Sequence, residues 1–282
     1  MSHAPDGQPP RVSNLQLRVV SSVVLIVVVL GVTLLGGVAF RLLAAAIGAA
    51  ILYEWCAMAG NAANRRHQMT AGLLMGAVLA ALVAGYTAPI LFLLLGVSVI
   101  VCLADGRLGG HGTWAAAGLA YAGLSALSLG LLRDGDRAGL VAVLFLYAVV
   151  WATDISAYFV GRRIGGPKLA PRISPGKTWS GALGGMVGGV AVGVFLATAS
   201  GIQNLPLLAV AAFLLSLIAQ AGDLFESWLK RCHGLKDSGS LIPGHGGVMD
   251  RVDGLVAAAF ALYVIGWISG SADNPAQTLF PI

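Results

Sequence analysis

From Val19 to Gly270 the chain is a succession of apolar runs about twenty residues long, separated by short segments that hold most of its charge. A run of that length crosses the roughly 30 Å hydrocarbon layer as one helix, and a backbone in lipid must satisfy its own hydrogen bonds. The repetition therefore restricts the fold to a bundle of transmembrane helices. Asp, Glu, Lys and Arg make up only 10% of the residues and the mean hydropathy is +0.85, which argues against a soluble domain. Cutting the runs at charged or Gly/Pro-rich breaks predicts nine spans near residues 19–36, 39–59, 69–86, 88–104, 113–132, 139–160, 179–199, 205–228 and 252–269. Further spans follow the first run, with no cleavage site after it, so it reads as a span and not a removable signal peptide. The expected fold is all-α: a polytopic membrane protein of about nine transmembrane helices, one domain over residues 19–282, with a polar, disordered leader at 1–18.

Nine spans put the N-terminus and the 2–3, 4–5, 6–7 and 8–9 loops on one side. That side holds fourteen of the seventeen Lys and Arg residues, leaving Arg41, Arg133 and Arg137 for the other. The positive-inside rule then places the N-terminus and the basic loops in the cytoplasm, in the inner membrane of a bacterium. Cys56, Cys102 and Cys232 are an odd, scattered set and read as packing thiols and not as a disulfide framework. Gly181, Gly185, Gly189 and Gly193 recur every fourth residue along the seventh span and predict a helix face packed closely against a neighbour.

Glu54, Asp154, Asp223 and Glu226 lie within the spans and each demands an explanation. A carboxylate at membrane depth costs roughly 2.5 kcal/mol or more unless a partner, water or an ion compensates. On the inferred topology all four lie toward the cytoplasmic ends. Glu54 reads as a structural partner for Arg65, Arg66 or another helix. Asp223, Glu226 and Lys230 stand three and four residues apart and share one helix face, while Asp250 and Asp253 open the ninth span, where the helix dipole favours negative charge. Two acid pairs can thus face each other across a polar, cytoplasm-facing loop. Hard oxygen ligands of this kind suit Mg²⁺, whose remaining ligands come from phosphate and water, and leave room for a second cation.

Two loops are built to meet anions. Gly161 to Ser180 carries five basic residues and no acid, and the turn Pro243-Gly244-His245-Gly246-Gly247 brings backbone amides to a helix start. Gly176-Lys177-Thr178 is not a phosphate-binding P-loop, because Pro171 stands where that motif needs glycine and a membrane helix is expected where it needs a strand. His245 is placed to donate to a phosphate or to move a proton.

Ser227-Trp-Leu-Lys-Arg, then Lys236-Asp237, then Pro243-Gly-His-Gly-Gly-Val-Met-Asp-Arg-Val-Asp253 resembles the signature of the phosphatidate cytidylyltransferases, or CDP-diacylglycerol synthases. Asp154-Ile-Ser-Ala-Tyr-Phe-Val-Gly161, Ser174-Pro-Gly-Lys-Thr-Trp179 and Gln220-Ala-Gly-Asp-Leu-Phe-Glu-Ser227 are similar to other recurring segments of that family. The resemblance covers about residues 150–255, the expected catalytic part. It departs at Ser180, where many relatives carry glutamate.

The resemblance implies nucleotidyl transfer from CTP to phosphatidic acid in phospholipid biosynthesis, giving CDP-diacylglycerol and pyrophosphate at a metal-dependent site open to the cytoplasm. The alternatives are a CTP-dependent polyprenol kinase, or a transporter of an anionic solute. By resemblance and geometry together, Asp223 and Asp250 are the principal metal ligands, with Asp253 and Glu226 behind them. Lys177, Lys230, Arg231, Lys236 and Arg251 are assigned to phosphates and departing pyrophosphate. Asp154, Ser174, Thr178 and the amides of Gly246 and Gly247 are assigned to substrate. Expected partners are CTP, phosphatidic acid and membrane lipids, with no nucleic acid; a homodimer is compatible with this reading.

Overall fold

A computed structural model describes residues 14–59, 65–134, 137–242 and 246–281. The leader up to residue 13, and His245 with its two predecessors, lie outside the described residues. Among the described residues nine long helices follow one another: α1 (Asn14–Leu35), α2 (Gly37–Met58), α3 (Arg65–Ala84), α4 (Ala88–Leu108), α5 (Trp114–Arg133), α6 (Arg137–Ile164), α7 (Trp179–Ala199), α8 (Leu205–Cys232) and α9 (Met249–Ser269). A short α10 (Pro275–Leu279) follows α9, and a two-stranded hairpin, β1 (Lys168–Ala170) and β2 (Ser174–Thr178), joins α6 to α7. Among the described residues α2 to α9 are long and apolar enough to cross a membrane, and Val19–Leu35 of α1 is a shorter apolar helix. The helical membrane fold read from the sequence is the fold observed, with α1 starting inside the segment assigned to the leader.

Contacts at the helix ends fix an alternating path. At one end Glu54 of α2 reaches the start of α9, Trp55 and Trp114 exchange hydrogen bonds between indole nitrogens and main-chain carbonyls at 3.0 Å, and His67 of α3 meets Asp105 of α4 at 2.7 Å. At the other end Arg41 of α2 pairs with Asp134 after α5 at 2.8 Å, and Arg133 donates to the Thr33 carbonyl of α1 at 2.7 Å. The tight turn between α1 and α2 uses the left-handed backbone of Gly36 (φ 65°) and Gly37 (φ 51°), and the bare Cα of Gly36 admits the Arg133 guanidinium.

α5 is the central helix, with 78% of its apolar window buried against 22% for α7 on the periphery. The glycine stripe of α7 lies against α6. A Cβ on Gly181 would come 2.8 Å from the Ala157 carbonyl oxygen, on Gly185 2.9 Å from that of Thr153, and on Gly189 2.4 Å from Thr153 Oγ1. The two backbones approach as closely as the spacing predicts.

α6 and α8 are each 28 residues long, about 42 Å at 1.5 Å per residue, roughly 12 Å more than the hydrocarbon layer. The sequence spans stop at residues 160 and 228 because charge begins there, but intrahelical hydrogen bonding carries each helix another turn. The extra length lets Asp154 and Asp223 stand near the polar boundary, where their cost is lowest.

Candidate active site

The ends of α6 and α8, the starts of α5, α7 and α9, and the β-hairpin converge on one polar region. Lys168 pairs with Thr178 and Ala170 with Ser174 across the hairpin, which folds the basic loop back over α7. Arg231 braces it from α8 by donating to the Ile173 carbonyl at 3.5 Å, and also donates to the Leu235 carbonyl after α8 at 2.9 Å. Thr178 caps α7, its Oγ1 accepting from Gly181 N at 3.1 Å. Ser180, at the position where the resemblance leads one to expect glutamate, donates to the Gly165 carbonyl and so ties the loop to the end of α6.

Beneath the hairpin lies a cavity of about 620 Å³, walled by Asp154, Tyr158 and Arg162 of α6, Lys168 and Lys177 of the hairpin, and Gln220 and Asp223 of α8. Lys177 forms an ion pair with Asp223, and Ser227 Oγ donates to Asp223 Oδ1 at 3.4 Å. Asp154, Asp223 and Asp253 are close enough to act on one another electrostatically, and among the described ion pairs only Asp223 of the three has a cationic partner.

A second cluster lies directly beside the first. Lys230 Nζ stands 2.6 Å from Glu226 Oε2 and 2.6 Å from Asp250 Oδ1, so the shared helix face of α8 does meet the start of α9. Asp250 Oδ2 also accepts from Ser238 N at 2.9 Å, Ser238 Oγ at 3.0 Å and Gly247 N at 2.8 Å. Glu226 is almost wholly buried and its Oε1 has no hydrogen-bond partner among the described residues; neither has the buried Tyr121 OH, which lies within electrostatic reach of Glu226 and Asp253.

The sequence-assigned residues therefore separate into groups. Asp154, Asp223, Lys177 and Thr178 border the cavity, whereas Glu226, Lys230 and Asp250 form the adjoining network and Asp253 lies between. Arg231 is a brace, Ser174 belongs to the hairpin ladder, and Lys236 and Arg251 are exposed. Gly246, at φ 86°, turns the chain into α9, and the Gly247 amide is engaged by Asp250. Sequence reasoning did not single out Arg162, Lys168 and Gln220 as cavity walls, although the first two sit in the basic loop expected from its composition to meet anions. Ser238 left no signal in the sequence.

Glu54 is fully buried, and of the partners expected for it the structure supplies another helix; among the described ion pairs it meets neither Arg65 nor Arg66. Its Oε1 accepts from Val248 N at 2.8 Å, and its Oε2 from Met249 N at 2.8 Å and Ser238 Oγ at 3.0 Å. The orphan amides at the start of α9 are thus met by a helix nearly two hundred residues away in sequence.

The oxygen donors suit a hard divalent cation, because clustered carboxylates and the unpartnered Glu226 oxygen leave negative charge to neutralise. Among the described residues, though, no three or more His, Cys, Asp or Glu side chains are grouped closely enough to hold a metal ion as they stand.

Residues 16–269 match the model of the cytidylyltransferase family. The phosphatidate cytidylyltransferase of Brucella suis is 48% identical over 273 residues, covering 95% of this chain and 99% of its own length. That of Brucella abortus is 49% identical over 266 residues, 93% of this chain and 96% of its own. That of Pseudomonas aeruginosa is 36% identical over 278 residues, 91% and 98%. Similarity thus runs well beyond the motif-bearing stretch 150–255 and takes in the N-terminal helices.

Proposed function

The chain belongs to the cytidylyltransferase family, and from that premise we propose that it is an enzyme transferring the cytidylyl group of CTP to phosphatidate, with CDP-diacylglycerol and pyrophosphate as products. The observation that carries the reading is the cavity in which Lys177, paired with Asp223, faces Arg162 and Lys168 at the polar end of a membrane bundle. Such a wall holds a polyanion while acyl chains stay in the surrounding lipid.

An oxygen of the phosphatidate phosphate attacks the α-phosphorus of CTP. The bond from that phosphorus to the oxygen bridging to the β-phosphorus breaks, and pyrophosphate leaves with the electron pair. The attacking phosphate is already ionised, so no protein nucleophile is needed. Lys177, Arg162 and Lys168 neutralise phosphate oxygens as charge moves onto the leaving group. Asp223, with Asp154 and Asp253 beside it, would hold Mg²⁺, which when bound supplies further neutralisation and aligns the two phosphates. Lys230 holds Asp250 and Glu226 in place behind that set. The basic end of the bundle faces the cytoplasm, where CTP is found, on the strength of the charge asymmetry in an inner-membrane protein.

The test is incubation of the purified protein in detergent with CTP labelled at the α-phosphate, phosphatidate and Mg²⁺. Label should appear in a lipid that co-migrates with CDP-diacylglycerol. Label entering lipid only from the γ-position of CTP, or no labelled lipid, would overturn the proposal.

A further inference from the structure

The strongest observation outside the cavity is the anchoring of the start of α9 by α2. We infer that Glu54 is a positioning residue for the nucleotidyl transfer proposed above, an inference that rests on that reading and deepens it. Its carboxylate takes two of the open amides of α9, where the helix dipole favours negative charge, and the Ser238 hydroxyl as well. Ser238 Oγ is also 3.0 Å from Asp250 Oδ2, so its single proton is shared between Glu54 and the carboxylate that holds Lys230.

The loop leaves the carboxylate no freedom. A Cβ on Gly247 would stand 2.6 Å from both Glu54 oxygens, and one on Gly239 2.8 Å from Oε1. Gly239 and Gly247 are thus explained by the approach of this side chain. Because Asp250 and Asp253 both lie in the first turns of α9, the position of Glu54 sets where their carboxylates point.

A residue that only stabilised the bundle would change the amount of folded protein but not the turnover of each folded molecule. A positioning residue changes kcat. Displacement of reacting groups by about 1 Å costs on the order of a hundredfold in rate, so Glu54→Gln, which must set an amide donor against an α9 amide or Ser238, should lower kcat by about that factor. KM for CTP and phosphatidate should stay within about threefold, since the cavity residues that bind them are untouched. Ser238→Ala keeps the backbone bonds and removes only the link, and should lower kcat about tenfold.

The measurement is kcat per monodisperse folded protein in detergent, with Arg41→Ala, which breaks the Arg41–Asp134 pair at the far end, as the stability control. Arg41→Ala should lose melting temperature and keep kcat. Wild-type kcat in both Glu54→Gln and Ser238→Ala, or an equal loss in Arg41→Ala, would overturn the inference; if Glu54→Gln does not fold, Ser238→Ala decides alone. Wild-type protein that makes no CDP-diacylglycerol would overturn the proposed reaction itself, a result distinct from an active wild type with unaffected variants.

Discussion

Lys230→Met removes the only described cation between two buried carboxylates. Both Glu226 Oε2 and Asp250 Oδ1 lie 2.6 Å from the same nitrogen, so those oxygens can be no more than 5.2 Å apart. At an effective dielectric of about 20, two unit charges at that distance repel by about 3 kcal/mol, in line with the roughly 3–5 kcal/mol lost when one partner of a buried pair is deleted. The side chains of Glu226 and Asp250 are only 1% and 7% exposed, so solvent screening relieves little of this. Thermal melting in detergent should fall by on the order of 10 °C. Adding Glu226→Gln in the same chain removes one of the two charges and offers an amide donor to Asp250, and should recover more than half of the loss. A Lys230→Met melting temperature within about 2 °C of wild type, or a double variant no more stable than the single one, would refute this account of the cluster.

Asp223→Asn should cut turnover by about a hundredfold or more, the scale of losing one electrostatic partner at a reacting phosphate, while the half-exposed side chain leaves melting nearly unchanged; a near-normal rate removes Asp223 from the site. Gly189→Ala should destabilise the α6–α7 interface by roughly 1–3 kcal/mol, seen as a lower melting temperature, because the new Cβ meets Thr153 Oγ1. Thr153 cannot swing aside freely, being bonded at 2.8 Å to both the Val149 carbonyl and Ser216 Oγ, and an unchanged melting temperature would contradict the contact. Chelation of divalent cations should abolish turnover and Mg²⁺ should restore it. Mg²⁺ should also raise the melting temperature of wild type but not of Asp223→Asn, and equal shifts in both would move the cation away from Asp223.

Much of the site can be read along the chain because its periodicities are local. The Glu226–Lys230 pair follows from residues four apart on a helix, and the close packing of α7 on α6 follows from glycine at every fourth position. The basic loop announces an anion by composition, but its hairpin does not show in the apolar pattern. Only three and five residues long, with Pro171 and Pro175 in or beside the strands, it is held by cross-strand pairing, by Ser180 against the Thr178 hydroxyl and by Arg231 on the Ile173 carbonyl. The assignment of substrate to the Gly247 amide illustrates the same limit: a glycine before a helix marks a donor that needs an acceptor without naming it, and here the acceptor is Asp250.

Apolar run length and the one-sided distribution of arginine and lysine were enough to establish a multi-span helical bundle, the end at which its polar chemistry lies and the helices that carry the acids. Both follow from solvation by the bilayer, which acts on every residue according to its own side chain. The choice of partner was settled only in three dimensions. Glu54 could be recognised as a buried acid in need of compensation, but the amides that compensate it stand at Val248 and Met249, and only the packing of α2 beside α9 brings them within 2.8 Å. Hydrogen bonds act over a few ångströms of space irrespective of separation along the chain, so a carboxylate can declare what it lacks in one dimension and find it only in the folded bundle.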